Sequence, residues 1–332
     1  QDSVQLSQFT MYFDRRSFIK STILTSFSLA LPSSILKLWA GQTENLRLGL
    51  VTDLHRDIIH DADLRLLTFL EEMNRVAVHA KIQLGDFAIP KPANTSFIAA
   101  FNQGNIPAYH VLGNHDMDEG YSKEQALQAF GMPSAYYAQV IQGIRILVLD
   151  GNDTGSPTTK GGYASYIGKV QQDWLNQQLE DSKEPVIVIS HQPIAGIYTI
   201  DNAVEIQNLL SAHASKIILA INGHAHVDQF LKVGGISYLH LNSASYYWVG
   251  EKHRHLSLDT NTHAAYPSLA FTCPYAAVLF GVLTLDRKAK KLTLMGRKSS
   301  WIGPSPLELG YLILSPAEQE MYLNPQISNR EL

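Results

Sequence analysis

The segment Leu46-Arg47-Leu48-Gly49-Leu50-Val51-Thr52-Asp53-Leu54-His55 runs apolar for the length of a strand and then ends on a carboxylate and an imidazole two residues apart. Short apolar runs closed by polar or glycine clusters read as strands. In open α/β sheets, ligands gather beyond the carboxyl ends of such strands. Residues two apart in extended or irregular backbone point the same way, so Asp53 and His55 can converge on one point.

The arrangement recurs along the chain. Strand-like runs at 81–84, 108–112, 185–190 and 216–221 lead into Gly85-Asp86, Gly113-Asn114-His115-Asp116, Ser190-His191 and Gly223-His224-Ala225-His226. A further run lies at 144–149. Glycines at 85, 113 and 223 allow the tight backbone that brings such side chains together. Stretches 62–79, 95–103, 122–130, 169–180 and 202–213 space their apolar residues as helices do. Strands alternating with helices, with no repeat or low-complexity linker after Gly41, make one α/β domain. Beyond His226, runs at 229–233, 236–241, 277–286 and 291–295 lack intervening helical patterns. A second, partly antiparallel sheet is expected from them.

A lone Gly-Asp is ordinarily a turn, and Gly-Asn-His-Asp a loop or helix cap. Five ligand-bearing motifs in order, each behind a strand, are a different matter. The chain has 332 residues, 45% of them hydrophobic, enough to bury a sizeable core. Its 26 basic and 30 acidic residues give a net charge of −4 with no basic block, so nucleic acid is not a favoured partner. The single cysteine, Cys273, excludes an intrachain disulfide and a thiolate-rich zinc site. The 13 histidines point instead to imidazole ligation.

At the N-terminus, Asp14-Arg15-Arg16-Ser17-Phe18-Ile19-Lys20 precedes a mildly apolar run over 21–31. This resembles a twin-arginine translocation signal, which implies passage through the Tat translocase after folding and a periplasmic destination. The apolar run is about half of the ~20 residues a spanning helix needs, and Pro32 interrupts it, so no stable membrane span is expected. The start of an amphipathic helix is the alternative reading. Met11 reads as a start, which leaves 1–10 as upstream or vector-derived sequence. The expected division is thus a signal segment at 11–41, a catalytic domain at 42–300 with its motif core at 46–227, and a C-terminal extension at 301–332.

The ordered motifs resemble the calcineurin-like metallophosphoesterase superfamily. The resemblance implies a four-layer α/β sandwich in which two mixed β-sheets lie face to face, flanked by helices. It implies that Asp53, His55 and His226 hold one metal, that Asn114, His191 and His224 hold the other, and that Asp86 bridges them. It makes His115 the residue that protonates the leaving alkoxide or stabilises the transition state, with Asp116 orienting its ring. Mixed imidazole, carboxylate and amide ligands suit two divalent or trivalent ions of iron, manganese or zinc and argue against calcium. Two cations about 3.5 to 4 Å apart can clamp the attacking and leaving oxygens of an in-line displacement and lower the pKa of bound water to about 7, supplying hydroxide.

Departures from the better-known branches narrow the substrate. Where protein serine/threonine phosphatases carry Asp-Arg-Gly, this chain reads Phe87-Ala88-Ile89-Pro90. Ile89 stands where purple acid phosphatases place a tyrosine ligand, and His115 where hydrolases of the nucleotide-sugar lipid precursor carry arginine. Only about a hundred residues follow His226, short of the substrate domain of 5′-nucleotidases. The chain is most similar to class III cyclic-nucleotide and glycerophosphodiester phosphodiesterases. A small phosphodiester is therefore the expected substrate, with an exported phosphomonoesterase as one alternative and a metal-dependent binding or scaffold protein as another. Ser243-Ala244-Ser245-Tyr246-Tyr247-Trp248 could wall the substrate or pack the second sheet. His253-Arg254-His255 could add phosphate-binding charge or form a solvated loop. His60, His79, His110, His213, His240 and His263 are read as structural.

Overall fold

The computed structural model describes residues 45–159 and 161–332. The twin-arginine segment lies outside the described residues. In chain order the elements are β1 (Leu46–Val51), α1 (Ala62–Val76), β2 (Ala80–Gln83), α2 (Thr95–Asn102), β3 (Ala108–His110), α3 (Lys123–Phe130), β4 (Tyr137–Ile141), β5 (Ile144–Val148), α4 (Lys169–Asp181), β6 (Val186–Ile189), α5 (Ala203–Ala212) and β7 (Ile217–Asn222). They continue with β8 (Gln229–Val233), β9 (Ile236–His240), β10 (Tyr246–Trp248), α6 (Thr260–Ala265), β11 (Thr272–Pro274), β12 (Gly281–Asp286), β13 (Lys291–Met295), α7 (Pro316–Tyr322) and β14 (Arg330–Glu331).

Two six-stranded sheets form the centre, in the orders β14-β13-β12-β1-β2-β3 and β4-β5-β6-β7-β9-β8. Both are mixed: β1, β2 and β3 run parallel, as do β5, β6, β7 and β9, while β12 and β4 pair antiparallel to their neighbours. Strand alternation explains the layering. Ile146, Val148, Ile187 and Ile189 enter the core between the sheets with Leu48, Ile82 and Leu283. Their strand neighbours Leu147, Leu149, Val186 and Val188 pack outward against Leu175 and Leu179 of α4 and Ile206 and Leu210 of α5. On the other flank, Phe69 and Met73 of α1, Phe97 and Phe101 of α2 and Phe130 of α3 cover the first sheet. Strands covered on both faces need near-continuous apolar sequence, which is what β6 and β7 carry.

The later strands behave differently from the sequence expectation. The predicted runs do not build a sheet of their own; among the described residues, only β10 and β11 pair as a separate two-stranded sheet. The β8–β9 hairpin joins the second sheet through parallel pairing of β9 with β7. The β12–β13 hairpin extends the first sheet by pairing β12 antiparallel with β1. Each buries its apolar side only by completing a sheet already present, since a two-stranded hairpin alone is barely stable. A short helix, α6, also interrupts the stretch read as helix-free. Within 301–332, β14 pairs with β13, and Ile327 and Leu332 enter the core between the sheets. Among the described residues no helix is long and apolar enough to cross a membrane.

Candidate metal centre

The motif residues meet where the carboxyl ends of the two sheets face each other. Asp53 and His55 follow β1, Asp86 follows β2, His115 opens a 3₁₀ turn after β3, His191 follows β6, and His224 and His226 follow β7. Chain connection there is tight and specific. Asp53, His55, Asp86, His224 and His226 all adopt left-handed backbone, with φ of 51°, 52°, 52°, 64° and 51°. Such conformations are costly away from glycine and concentrate at functional sites. Cross-loop bonds hold them: the Asp53 N–H donates to the Gly85 carbonyl at 3.0 Å and the His55 N–H to the Asp86 carbonyl at 2.9 Å. Two glycines make room. Gly85 has φ 102°, and a Cβ there would lie 2.4 Å from His191 Nδ1; a Cβ on Gly113 would lie 2.1 Å from the Asp86 amide nitrogen.

Two clusters result. Asp53, His55 and His226 bring one ligand atom each to within 4.8 Å of one another, and Asp86, His191 and His224 do the same. Asp86 Oδ2 lies 3.1 Å from His191 Nε2 and 3.7 Å from His55 Nε2, so one carboxylate oxygen faces both groups. His226 Nε2 is 3.2 Å from Asp53 Oδ1, and His224 Nδ1 is 3.2 Å from His191 Nε2. Asn114, the residue before His115, is buried with its Oδ1 lacking a hydrogen-bond partner, and His55 Nε2 likewise lacks one. Buried polar atoms without partners are rare in folded proteins, and cations would satisfy both.

Outer contacts turn the ligand atoms inward. His191 Nδ1 lies 2.8 Å from the Leu84 carbonyl and His226 Nδ1 2.8 Å from the Tyr246 carbonyl, which leaves each Nε2 unprotonated and facing the centre when the ring is neutral. Thr52 Oγ1 donates to Asp53 Oδ2 at 2.6 Å, and the His224 N–H to the same oxygen at 3.0 Å.

The electrostatics suit cation binding, which needs ionised carboxylates and neutral imidazoles. Burial would raise Asp53, but His226 and His191 bring it down to about 2. Asp86 is held well below the usual carboxylate range, against its burial, by His191 and His115. Burial lowers His55 and His224 to about 3. His191 is raised to about 9 despite burial, because Asp86 pairs with it; an entering cation takes the place of that proton. The residues present therefore fit a pair of metal ions.

His115 stands at the edge of this centre, its ring centroid 5.3 Å from that of His55 and its side chain 35% exposed. Its Nδ1 lies 2.7 Å from Asp118 Oδ2, and Asp118 Oδ1 accepts from the Tyr163 hydroxyl at 2.6 Å. This corrects the role read for Asp116. Asp116 is fully buried and accepts backbone N–H groups from Asp86, Phe87, Ala88 and Gly113 at 2.7 to 3.1 Å. It clamps the Asp86 loop to the Asn114 loop and leaves His115 to Asp118. The physical reason is the tight turn that starts at His115, which brings Asp118, three residues on, back beside the His115 ring before the chain kinks at Asp118 and Glu119. That spacing was a usable signal for Asp118, whereas Tyr163 arrives from a distant loop with no local signature. His253, Arg254 and His255 are held by other contacts: His253 Nδ1 lies 3.0 Å from the Leu309 carbonyl, and the Arg254 guanidinium sits over the Phe271 ring.

A sandwich of two mixed sheets flanked by helices, with two candidate ligand clusters facing one shared carboxylate at its sheet ends, marks a metal-dependent phosphoester hydrolase. The chain belongs to the calcineurin-like phosphoesterase family, whose model matches residues 46–228. A protein of Synechococcus sp. described as a probable cyclic nucleotide phosphodiesterase is 26% identical over 215 residues, covering 60% of this chain and 80% of its own. Among solved structures, a dimetal phosphatase from Danio rerio is similar at 17% identity and a TM-score of 0.53, covering 77% of this chain and 98% of that one. GAP50, the anchor in the inner membrane complex of Plasmodium, is similar at 16% identity and a TM-score of 0.52, covering 78% and 85%. At those identities the structural likenesses concern the fold alone.

Proposed function

We propose that the centre hydrolyses small phosphodiesters. The observation that carries this reading is the pairing with carboxylates of the basic side chains that follow the ligand motifs in sequence. Arg56 pairs with Asp63 at 3.0 Å, Lys91 with Asp57 and Glu119 at 3.0 and 2.7 Å, and Lys123 with Asp150 at 2.5 Å. A dianionic monoester usually recruits further arginine or lysine, whereas a monoanionic diester needs few cations beyond two metals. The Synechococcus relative's description agrees with a diester.

Asp53, His55 and His226 would hold one metal and Asn114, His191 and His224 the other, with Asp86 facing both. When bound, such ions supply Lewis-acid polarisation of the phosphoryl group and activation of water. His115 supplies the proton for the departing alkoxide. Its Nδ1–H donates to Asp118, which leaves Nε2 for the substrate, and Asp86 and Asp118 raise its pKa against the effect of burial. Asp116 keeps the Asp86 and Asn114 loops in register.

The deciding experiment compares kcat/KM for bis-p-nitrophenyl phosphate and p-nitrophenyl phosphate after manganese or zinc is restored. The diester is expected to be preferred, and a tenfold or greater preference for the monoester at neutral pH would overturn the reading in favour of a phosphatase. We further propose export through the twin-arginine route to the periplasm, on the strength of Arg15-Arg16 ahead of Phe18, Ile19 and Lys20. Replacing both arginines by lysine should retain the protein in the cytoplasm; undisturbed periplasmic delivery would refute it.

A further inference from the structure

Three consecutive aromatic side chains end the run that follows the second sheet, and strand geometry sends them to different places. On β10, Tyr246 and Trp248 share one face and Tyr247 takes the other. Tyr247 is buried against Tyr311, with ring centroids 5.6 Å apart. Tyr246 is also buried, and its ring lies 5.0 Å from the ring of His55 and 5.2 Å from that of His226. Trp248, one step further on the same face, has its ring 6.4 Å from Tyr246 and is 43% exposed.

We infer that the indole of Trp248 is a stacking platform for a planar ring carried by the ester, so that the substrate class is a phosphodiester of a ring-bearing alcohol such as a nucleoside. The inference rests on the phosphodiesterase reading above and adds the group recognised beside the phosphate. An isolated exposed aromatic residue would need no explanation. Trp248 is not isolated: it shares a strand face with Tyr246, whose ring lies against the two candidate metal ligands His55 and His226. Nor is it loose. β10 pairs with β11 through Tyr246↔Pro274 and Trp248↔Thr272, and the indole packs on Phe271 at 5.6 Å. A rigid ring open to solvent loses little entropy when a second ring stacks on it. Phe271 in turn lies under the Arg254 guanidinium, 5.8 Å from its centroid, which braces the shelf from beyond.

The test measures the affinity of the manganese-loaded protein for AMP and for methyl phosphate by calorimetry, in the native chain and in W248A and W248F. Stacking on an aromatic side chain is typically worth enough to change affinity on the order of tenfold. The ratio of AMP to methyl phosphate affinity should therefore fall about tenfold in W248A and be largely retained in W248F. Indole fluorescence quenched by AMP in the native chain should lose that component in both variants. A native chain that binds AMP no better than methyl phosphate, or a W248A ratio within twofold of the native one, overturns the platform and leaves the hydrolase reading standing. A native chain that binds neither phosphate overturns the platform, and the diester comparison above decides the hydrolase reading separately.

Discussion

His115 Nδ1 lies 2.7 Å from Asp118 Oδ2, within one short turn of chain. That contact fixes which imidazole nitrogen carries the proton toward the carboxylate and which is left for a substrate oxygen. H115A should retain its metals and lose ~10² to 10⁴ in kcat, the usual worth of a general acid. D118A should lose on the order of 10-fold to 100-fold, as when a partner that orients a histidine is removed. If His115 protonates the departing oxygen, its loss is greater for alkyl diesters than for nitrophenyl diesters. Equal losses would assign it to transition-state binding instead.

Asp86 Oδ2 faces both clusters, and its Oδ1 accepts the His115 N–H at 2.8 Å. D86A should therefore bind neither metal and show essentially no hydrolysis. Metal content per chain after manganese loading and desalting is the measurement, and two retained equivalents would remove Asp86 from its bridging place.

Asp116 satisfies four backbone N–H groups that have no water to turn to. Leaving buried donors unpaired costs about 1 to 3 kcal/mol each, offset in part by relaxation, so D116A should lose about 3 kcal/mol of stability. The urea midpoint should fall accordingly, together with metal affinity, because the loops bearing Asp86 and Asn114 are no longer joined. A variant of native stability would mean that those N–H groups find other partners.

His110 and His240 are buried inside the fold, where burial lowers them to about 3 and about 4 from 6.5. The unfolded chain takes up protons below pH 6.5 that the folded chain refuses. The contribution of these two histidines to stability is thus full above pH 6.5 and falls as the pH drops toward 4. His110 is held between Asn102 Oδ1 at 2.6 Å and Gln83 Nε2 at 3.0 Å, and stacks on Phe130. In metal-free protein, H110Q should reduce the pH slope of unfolding free energy between pH 6 and 4.5 by up to one proton, about 1.4 kcal/mol per pH unit. An unchanged slope would show that His110 accepts a proton in the folded state.

Much of this protein was legible one residue at a time. The apolar runs of β5 and β6 and the polar residues at each strand end, among them Asp53, His55, Asp86, Asn114, His191, His224 and His226, are local patterns along the chain, and chain neighbours lie together in any conformation. What depends on residues distant in sequence was decided only by packing. The sheet joined by the β8–β9 hairpin followed from which open edge its apolar side could cover. Asp116 and Asp118 are chemically alike and two positions apart; only the fold of the Phe87 loop made one a backbone clamp and the other the partner of His115. Tyr246, Tyr247 and Trp248 read as one aromatic cluster in sequence, and the fold around β10 and β11 buried two of them and left the third exposed next to Tyr246, because strand parity has meaning only once the core has chosen a side.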